Sequence, residues 1–155
     1  MNDQQFEAYI REQRPIHLIG IGGVSMRALA RMLQHMGAQV RGSDRDASRY
    51  TQELCQAGIP VVIGHSSENT AGAGLVIRTA AIPDTNPEIL AARAAGIPIL
   101  SRAEAWGMIM THYRRVVCVA GTHGKTSTTA MIATFADAAA MDPTVMVGGD
   151  LPSIG

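Results

Sequence analysis

The chain has 155 residues, about one domain at roughly 150 residues each. It is 46% hydrophobic and 17% charged, and 13 basic side chains balance 13 acidic ones. No apolar run approaches the roughly 20 residues of a membrane helix, and no net field draws the chain to nucleic acid or an anionic bilayer. Cys55 and Cys118 lie far apart without a paired metal-ligand spacing, and the first ten residues lack the basic and apolar regions of a signal peptide. A cytoplasmic protein with reduced thiols, binding neither nucleic acid nor membrane, is expected.

Residues 1–14 form a polar N-terminal extension that allows a short or frayed helix before Pro15. From Ile16 one cycle repeats: a short apolar run, a turn, then helical spacing, which predicts α/β architecture with a parallel sheet. The first strand is expected from Ile16 to Ile21, and the helix after Gly23 carries Leu29, Met32, Leu33 and Met36 at i, i+3, i+4, i+7. A second strand runs from Gln39 to Gly42, and a helix with Tyr50, Leu54 and Ala57 closes at Gly58. Strands from Val61 to Gly64, Leu75 to Thr79 and Ile97 to Leu100 follow. Asn86-Pro87-Glu88 reads as a capped helix start, and Ser101-Arg102-Ala103-Glu104 as a capping box. Near residue 112 the pattern restarts: a strand from Val116 to Ala120 with Cys118 buried and inert, a helix from Lys125 to about Ala140, and a strand from Thr144 to Val147. The expected domains are therefore a Rossmann-like unit over 15–111 and the truncated beginning of an ATP-binding P-loop unit over 112–155.

Two turns carry chemistry. Gly121-Thr122-His123-Gly124-Lys125-Thr126-Ser127 follows one expected strand and opens a helix, the arrangement in which backbone N–H groups cradle phosphate oxygens. Lys125 adds charge near the outer phosphates and the Thr126 hydroxyl suits Mg²⁺, so ATP is the expected ligand. Valine at 119, where the general pattern has glycine, makes this a shortened variant. The earlier turn, Gly20-Ile21-Gly22-Gly23-Val24-Ser25, approximates a dinucleotide fingerprint with Ser25 in place of the last glycine. Asp44 ends the second strand 24 residues after Gly20, where a carboxylate either accepts from ribose hydroxyls or caps a turn before Ala47. Two phosphate grips, only one with Lys-Thr, fit two ligands, a nucleoside diphosphate derivative anchored by its nucleotide handle and a nucleoside triphosphate with magnesium that phosphorylates its other end.

These stretches, with His17-Leu18-Ile19, Val24-Ser25-Met26, Ile63-Gly64-His65, Asn86-Pro87-Glu88 and Arg102-Ala103-Glu104, together resemble the Mur ligases of peptidoglycan synthesis across residues 16–155. The resemblance implies a three-domain ATP-dependent ligase, of which this chain would be an N-terminal fragment that binds the UDP-sugar but does not ligate alone. It implies that ATP phosphorylates the lactyl carboxylate of UDP-N-acetylmuramate and that L-alanine attacks the acyl phosphate. Lys125 and Thr126 would then be catalytic, with Thr126 on Mg²⁺. Gly20, Gly22, Gly23, Val24, Ser25, Met26, Asp44, His65 and the small-residue loop Thr79, Ala80, Ala81 would line the UDP-sugar site. His65 is either a diphosphate contact or a loop histidine, Arg102 either reaches an anion or is solvated, and Glu104 and Asn86 read as caps. A ligase that recycles preformed peptide shares these motifs, but its first turn commonly carries cysteine where this chain reads Gly22-Gly23. A nicotinamide-dependent dehydrogenase would leave Gly121 to Thr126 unexplained, and a non-catalytic nucleotide-sugar module is a further alternative. Oligomeric state is not legible.

Overall fold

The computed structural model describes residues 1–147. The chain divides into two compact units, Met1–Arg114 and Arg115–Gly155. The first holds a five-stranded, wholly parallel sheet of β1 (Ile16–Ile19), β2 (Val40–Asp44), β3 (Val61–Ile63), β4 (Leu75–Arg78) and β5 (Ile99–Ser101), in the order β3-β2-β1-β4-β5. Strand order reverses beside β1, the switch point at which open α/β sheets bind ligands.

Alternation along β1 sorts the core. Ile16 and Leu18 face the larger apolar cluster, shared with Leu29 and Leu33 of α2 (Val24–His35), Leu54 of α3 (Arg49–Gln56) and Trp106 and Ile109 of α5 (Arg102–Met110). Ile19 faces the other way, onto Val76 and onto Ile89 and Ala92 of α4 (Pro87–Ala94). All four residues of β1 are buried, as a central strand covered on both faces requires.

The N-terminal residues are tied down more firmly than their polarity suggests. Asn2 and Gln5 form a reciprocal capping box on α1 (Asp3–Arg11), and Phe6 is fully buried in the main cluster. The expected starts of α4 and α5 form as read. The Asn86 side chain accepts from the Glu88 N–H, while the side chains of Ser101 and Glu104 each accept from the other's backbone N–H. These bonds hold the Glu104 carboxyl below the usual range, so Glu104 is a cap.

In the second unit, α6 (Lys125–Ala138) forms, but two expected strands do not. Residues 116–120 and 144–147 have no regular structure, Val116 and Val117 are exposed, and Cys118 is exposed rather than buried. Apolar sequence alone does not make a strand, because a strand takes its hydrogen bonds from neighbours in a ladder. Among the described residues every ladder lies in the first unit.

Candidate functional site

The first glycine turn leaves β1 at Ile19. Its own amides are largely spent on the protein: Gly20 and Ile21 N–H both donate to the Ser43 carbonyl, and Gly23 N–H closes back onto Gly20. Gly22 N–H donates to Asp44 Oδ2 at 2.7 Å. A Cβ at Gly22 would lie 2.9 Å from that oxygen and 3.0 Å from Thr51 Cγ2, which is why the turn needs glycine there. The donors left over are one residue further on. The first bond of α2 runs from Arg27 N–H to Gly23, and no side chain caps the helix. The N–H groups of Val24, Ser25 and Met26 are therefore left without an intrahelical acceptor at the positive end of α2, the arrangement a cradle for an anion requires. Met26 contributes only its backbone, since its side chain is buried in the core.

Ser25 Oγ accepts a hydrogen bond from the guanidinium of the half-buried Arg102, which brings Arg102 to the start of α2. Serine in place of the last glycine thus supplies a side-chain contact between the starts of α2 and α5. Thr79, expected as the last residue of β4 but lying just past its end at Arg78, packs on the opposite side of the turn, its Cγ2 3.0 Å from where a Cβ of Gly20 would stand. Thr79 Oγ1 also accepts from Ala81 N–H at 3.3 Å, and Ala80 and Ala81 are exposed. Asp44, besides holding Gly22, accepts from Asp46 N–H at 3.4 Å. It orders the turn as well as facing the sheet's C-terminal edge, so the two readings of this residue are compatible.

A buried polar cluster underlies that edge. Glu88, fully buried at the second position of α4, receives His17 Nε2 at 2.6 Å and Ser43 Oγ at 2.8 Å on one carboxylate oxygen. The other oxygen takes His65 Nδ1 at 2.8 Å and Asn69 Nδ2 at 3.0 Å. Burial pushes the Glu88 carboxyl up, but donors from His17, Asn69, His65 and Ser43 outweigh it and hold the pKa down at about 2. A charged carboxylate with no exposed surface is tolerable only because every lone pair is engaged. His17 is buried with it, whereas the His65 side chain keeps 18% exposure.

The second turn leads through a left-handed glycine straight into a helix start. Gly124 stands at φ +76°, a conformation that favours glycine, and α6 begins at the next residue. Its first bond runs from Thr128 N–H to Gly124, and no side chain caps it. Lys125, Thr126 and Ser127 thus present their backbone N–H groups at the helix start. Lys125 Nζ donates to the carbonyls of Gly121 and Thr122, folding over its own turn. Residues 121–127, His123 included, are exposed. Among the described residues no group of three His, Cys, Asp or Glu is placed to hold a metal ion.

A profile described as "Mur ligase family, catalytic domain" matches residues 15–114. The chain belongs to the Mur ligase family. It is 53% identical over 140 residues to the UDP-N-acetylmuramate–L-alanine ligase of Agathobacter rectalis, covering 90% of this chain and 30% of that protein. The enzyme of the same name from Lachnospira eligens is 51% identical, again over 90% of this chain and 31% of that protein. The crystal structure of UDP-N-acetylmuramate-alanine ligase from Thermotoga maritima superposes with a TM-score of 0.83 at 38% identity, over 90% of this chain and 33% of that one. The UDP-N-acetylmuramate:L-alanyl-gamma-D-glutamyl-meso-diaminopimelate ligase from Neisseria meningitides gives 0.86 at 29% identity, over 92% and 45%. This Mur ligase chain therefore spans about 30% of the length of the curated relatives it matches.

Within this Mur ligase unit the structure brings Gly20, Gly22, Gly23, Val24, Ser25, Asp44 and Thr79 to one edge of the sheet, with His65 at the neighbouring strand end. The Glu88 cluster is what sequence reasoning missed. Its one signal was His17, a polar residue inside an otherwise apolar strand, which a buried position obliges to find a partner. The partner, 71 residues away, has no local signature.

Proposed function

We propose that the first unit binds UDP-N-acetylmuramate and that the whole protein is an ATP-dependent ligase joining L-alanine to that sugar nucleotide in peptidoglycan synthesis. The observation that carries the reading is the uncapped α2 start at Val24–Met26, one strand from the Asp44 carboxylate on a sheet whose order reverses there. The cradle suits the diphosphate and Asp44 the ribose. The relatives named as alanine ligases share more sequence identity with this chain, 38% to 53%, than the described peptide ligase at 29%, although that structure superposes as well; the identity favours alanine over a preformed peptide as the incoming amine.

The second turn is assigned to ATP. Lys125, Thr126 and Ser127 N–H groups would hold phosphate oxygens, with the Lys125 ammonium turning from its own carbonyls to the transferring phosphoryl group. Thr126 would hold Mg²⁺, which supplies charge neutralisation on the phosphates. In the whole protein the lactyl carboxylate oxygen takes the terminal phosphoryl group and ADP leaves. The alanine nitrogen then displaces phosphate from the acyl carbon and loses a proton, giving the amide. The need for ATP places the enzyme in the cytoplasm, and among the described residues no helix is long and apolar enough to cross a membrane.

Calorimetry with UDP-N-acetylmuramate, and separately with NAD, tests the reading. Saturable heat from the uridine ligand alone is expected. Heat from NAD with none from UDP-N-acetylmuramate would replace it with a dehydrogenase.

A further inference from the structure

The carboxylate of Glu88 does more than fill a gap under the sheet. It joins β1 through His17, β2 through Ser43, the loop after β3 through His65, and the 3₁₀ turn Ser67–Thr70 through Asn69. Asn69 also donates to the Gly64 carbonyl at 3.0 Å, fixing the backbone just before His65. Of the two histidines on this carboxylate, His17 is sealed in, its Nδ1 buried without a partner. Only His65 has an exposed edge.

That asymmetry has a chemical consequence. An ionised carboxylate accepts and does not donate, so the nitrogen it touches must carry the proton. On His65 that nitrogen is Nδ1, which leaves Nε2 as the atom that can meet a ligand. The position of His65 says which part of a ligand. It follows β3, next to β2 and its terminal Asp44, whereas the amide cradle follows β1. Strands about 4.8 Å apart put the backbones of these two features roughly 10 Å from each other, so that a ligand whose diphosphate rests on the cradle extends its nucleoside end toward His65.

We propose that Glu88 is a positioning residue for nucleotide binding. It acts through His65, whose Nδ1 proton it holds so that Nε2 is offered as an acceptor to the uridine moiety, a ribose hydroxyl or the base imide N–H. The inference rests on the nucleotide reading of the first unit and adds to it a specificity element outside the two glycine turns. Ser43 and Asn69 serve the same end, since each saturates a carboxylate lone pair that would otherwise compete for another partner.

Nitrogen-15 NMR of the 155-residue chain labelled in histidine reads the tautomer directly and needs no variant. The neutral His65 ring is expected to be protonated on Nδ1, and a neutral ring protonated on Nε2 overturns the proposal. Calorimetry with UDP-N-acetylmuramate then tests the route of action, on variants shown to be folded by circular dichroism. His65→Ala should weaken binding about fivefold to tenfold, the value of one hydrogen bond. Glu88→Gln should weaken it similarly, and the double variant should be no weaker than His65→Ala alone. If Glu88→Gln costs the same factor again in the His65→Ala background, Glu88 acts on the fold and not through His65, and the proposal fails. Wild-type binding that His65→Ala leaves unchanged overturns this inference while the nucleotide reading stands. Absence of binding by the wild type overturns both.

Discussion

Replacing Glu88 with glutamine preserves the shape of the most highly engaged buried side chain and removes its charge. The native carboxyl lies at about 2 against an ordinary 4.5, a gap worth on the order of 3 kcal/mol at roughly 1.4 kcal/mol per pH unit. Because the folded value is the lower one, this stabilisation is complete above about pH 4.5 and is lost as pH falls toward 2. By pH 3 about 2 kcal/mol of it should be gone. Glutamine has no such dependence. It also turns an amide NH₂ toward two of the donors, so at neutral pH the variant should be less stable by on the order of 3 kcal/mol. Urea unfolding followed by fluorescence of Trp106, the single tryptophan and a core residue of the first unit, measures both proteins. Asp84, held low by Arg93 and Arg78, and Glu104, held low by its cap, are common to the two chains and cancel in the difference. The gap between wild type and Glu88→Gln should be constant from pH 7 to about 6 and should narrow toward pH 3. A gap that stays constant down to pH 3 would refute the idea that Glu88 is charged in the folded protein.

Gly22→Val should lower affinity for UDP-N-acetylmuramate at least about tenfold by driving a side chain into Asp44 and Thr51, whereas Lys125→Ala should leave it unchanged. Equal losses in calorimetry would show that the two turns do not serve separate ligands. Phe6→Ala should destabilise the first unit by about 3–5 kcal/mol, because α1 is anchored by that ring in the main core. A change under about 1 kcal/mol in the same urea assay would mean that α1 is dispensable. Ser101→Ala, which removes the cap of α5, should cost about 1 kcal/mol, and no change would discount the capping box.

The sheet and its helices were legible because their signals are local. Glycine after an amphipathic run, Asn-Pro-Glu and Ser-Arg-Ala-Glu each fix an element end by hydrogen bonds within a few residues. Boundaries moved where the local signal was a matter of degree. Ile21 is as buried as Ile19 but sits in the turn, and β2 continues past Gly42 to Asp44 because β3 pairs with its last three residues. The strand expected at residues 116–120 was misread for a different reason, since valines report a preference for burial and not the presence of a neighbouring strand. In the site, both turns and Asp44 could be read from spacing. The use of Gly22 N–H by Asp44 could not, because it depends on where two loops meet; it takes Gly22 out of the free donors and leaves those of Val24, Ser25 and Met26, residues the resemblance had already named. The Glu88 cluster was hidden for the same reason, its five residues being scattered from His17 to Glu88.

The claim on which the account turns is that the anion cradle of the first unit is made by three particular amides. Titrating the nitrogen-15-labelled chain with UDP-N-acetylmuramate should displace the amide resonances of Val24, Ser25 and Met26 in a saturable way while those of Lys125, Thr126 and Ser127 stay in place. Silence at the first three, or a response confined to the second three, would contradict it.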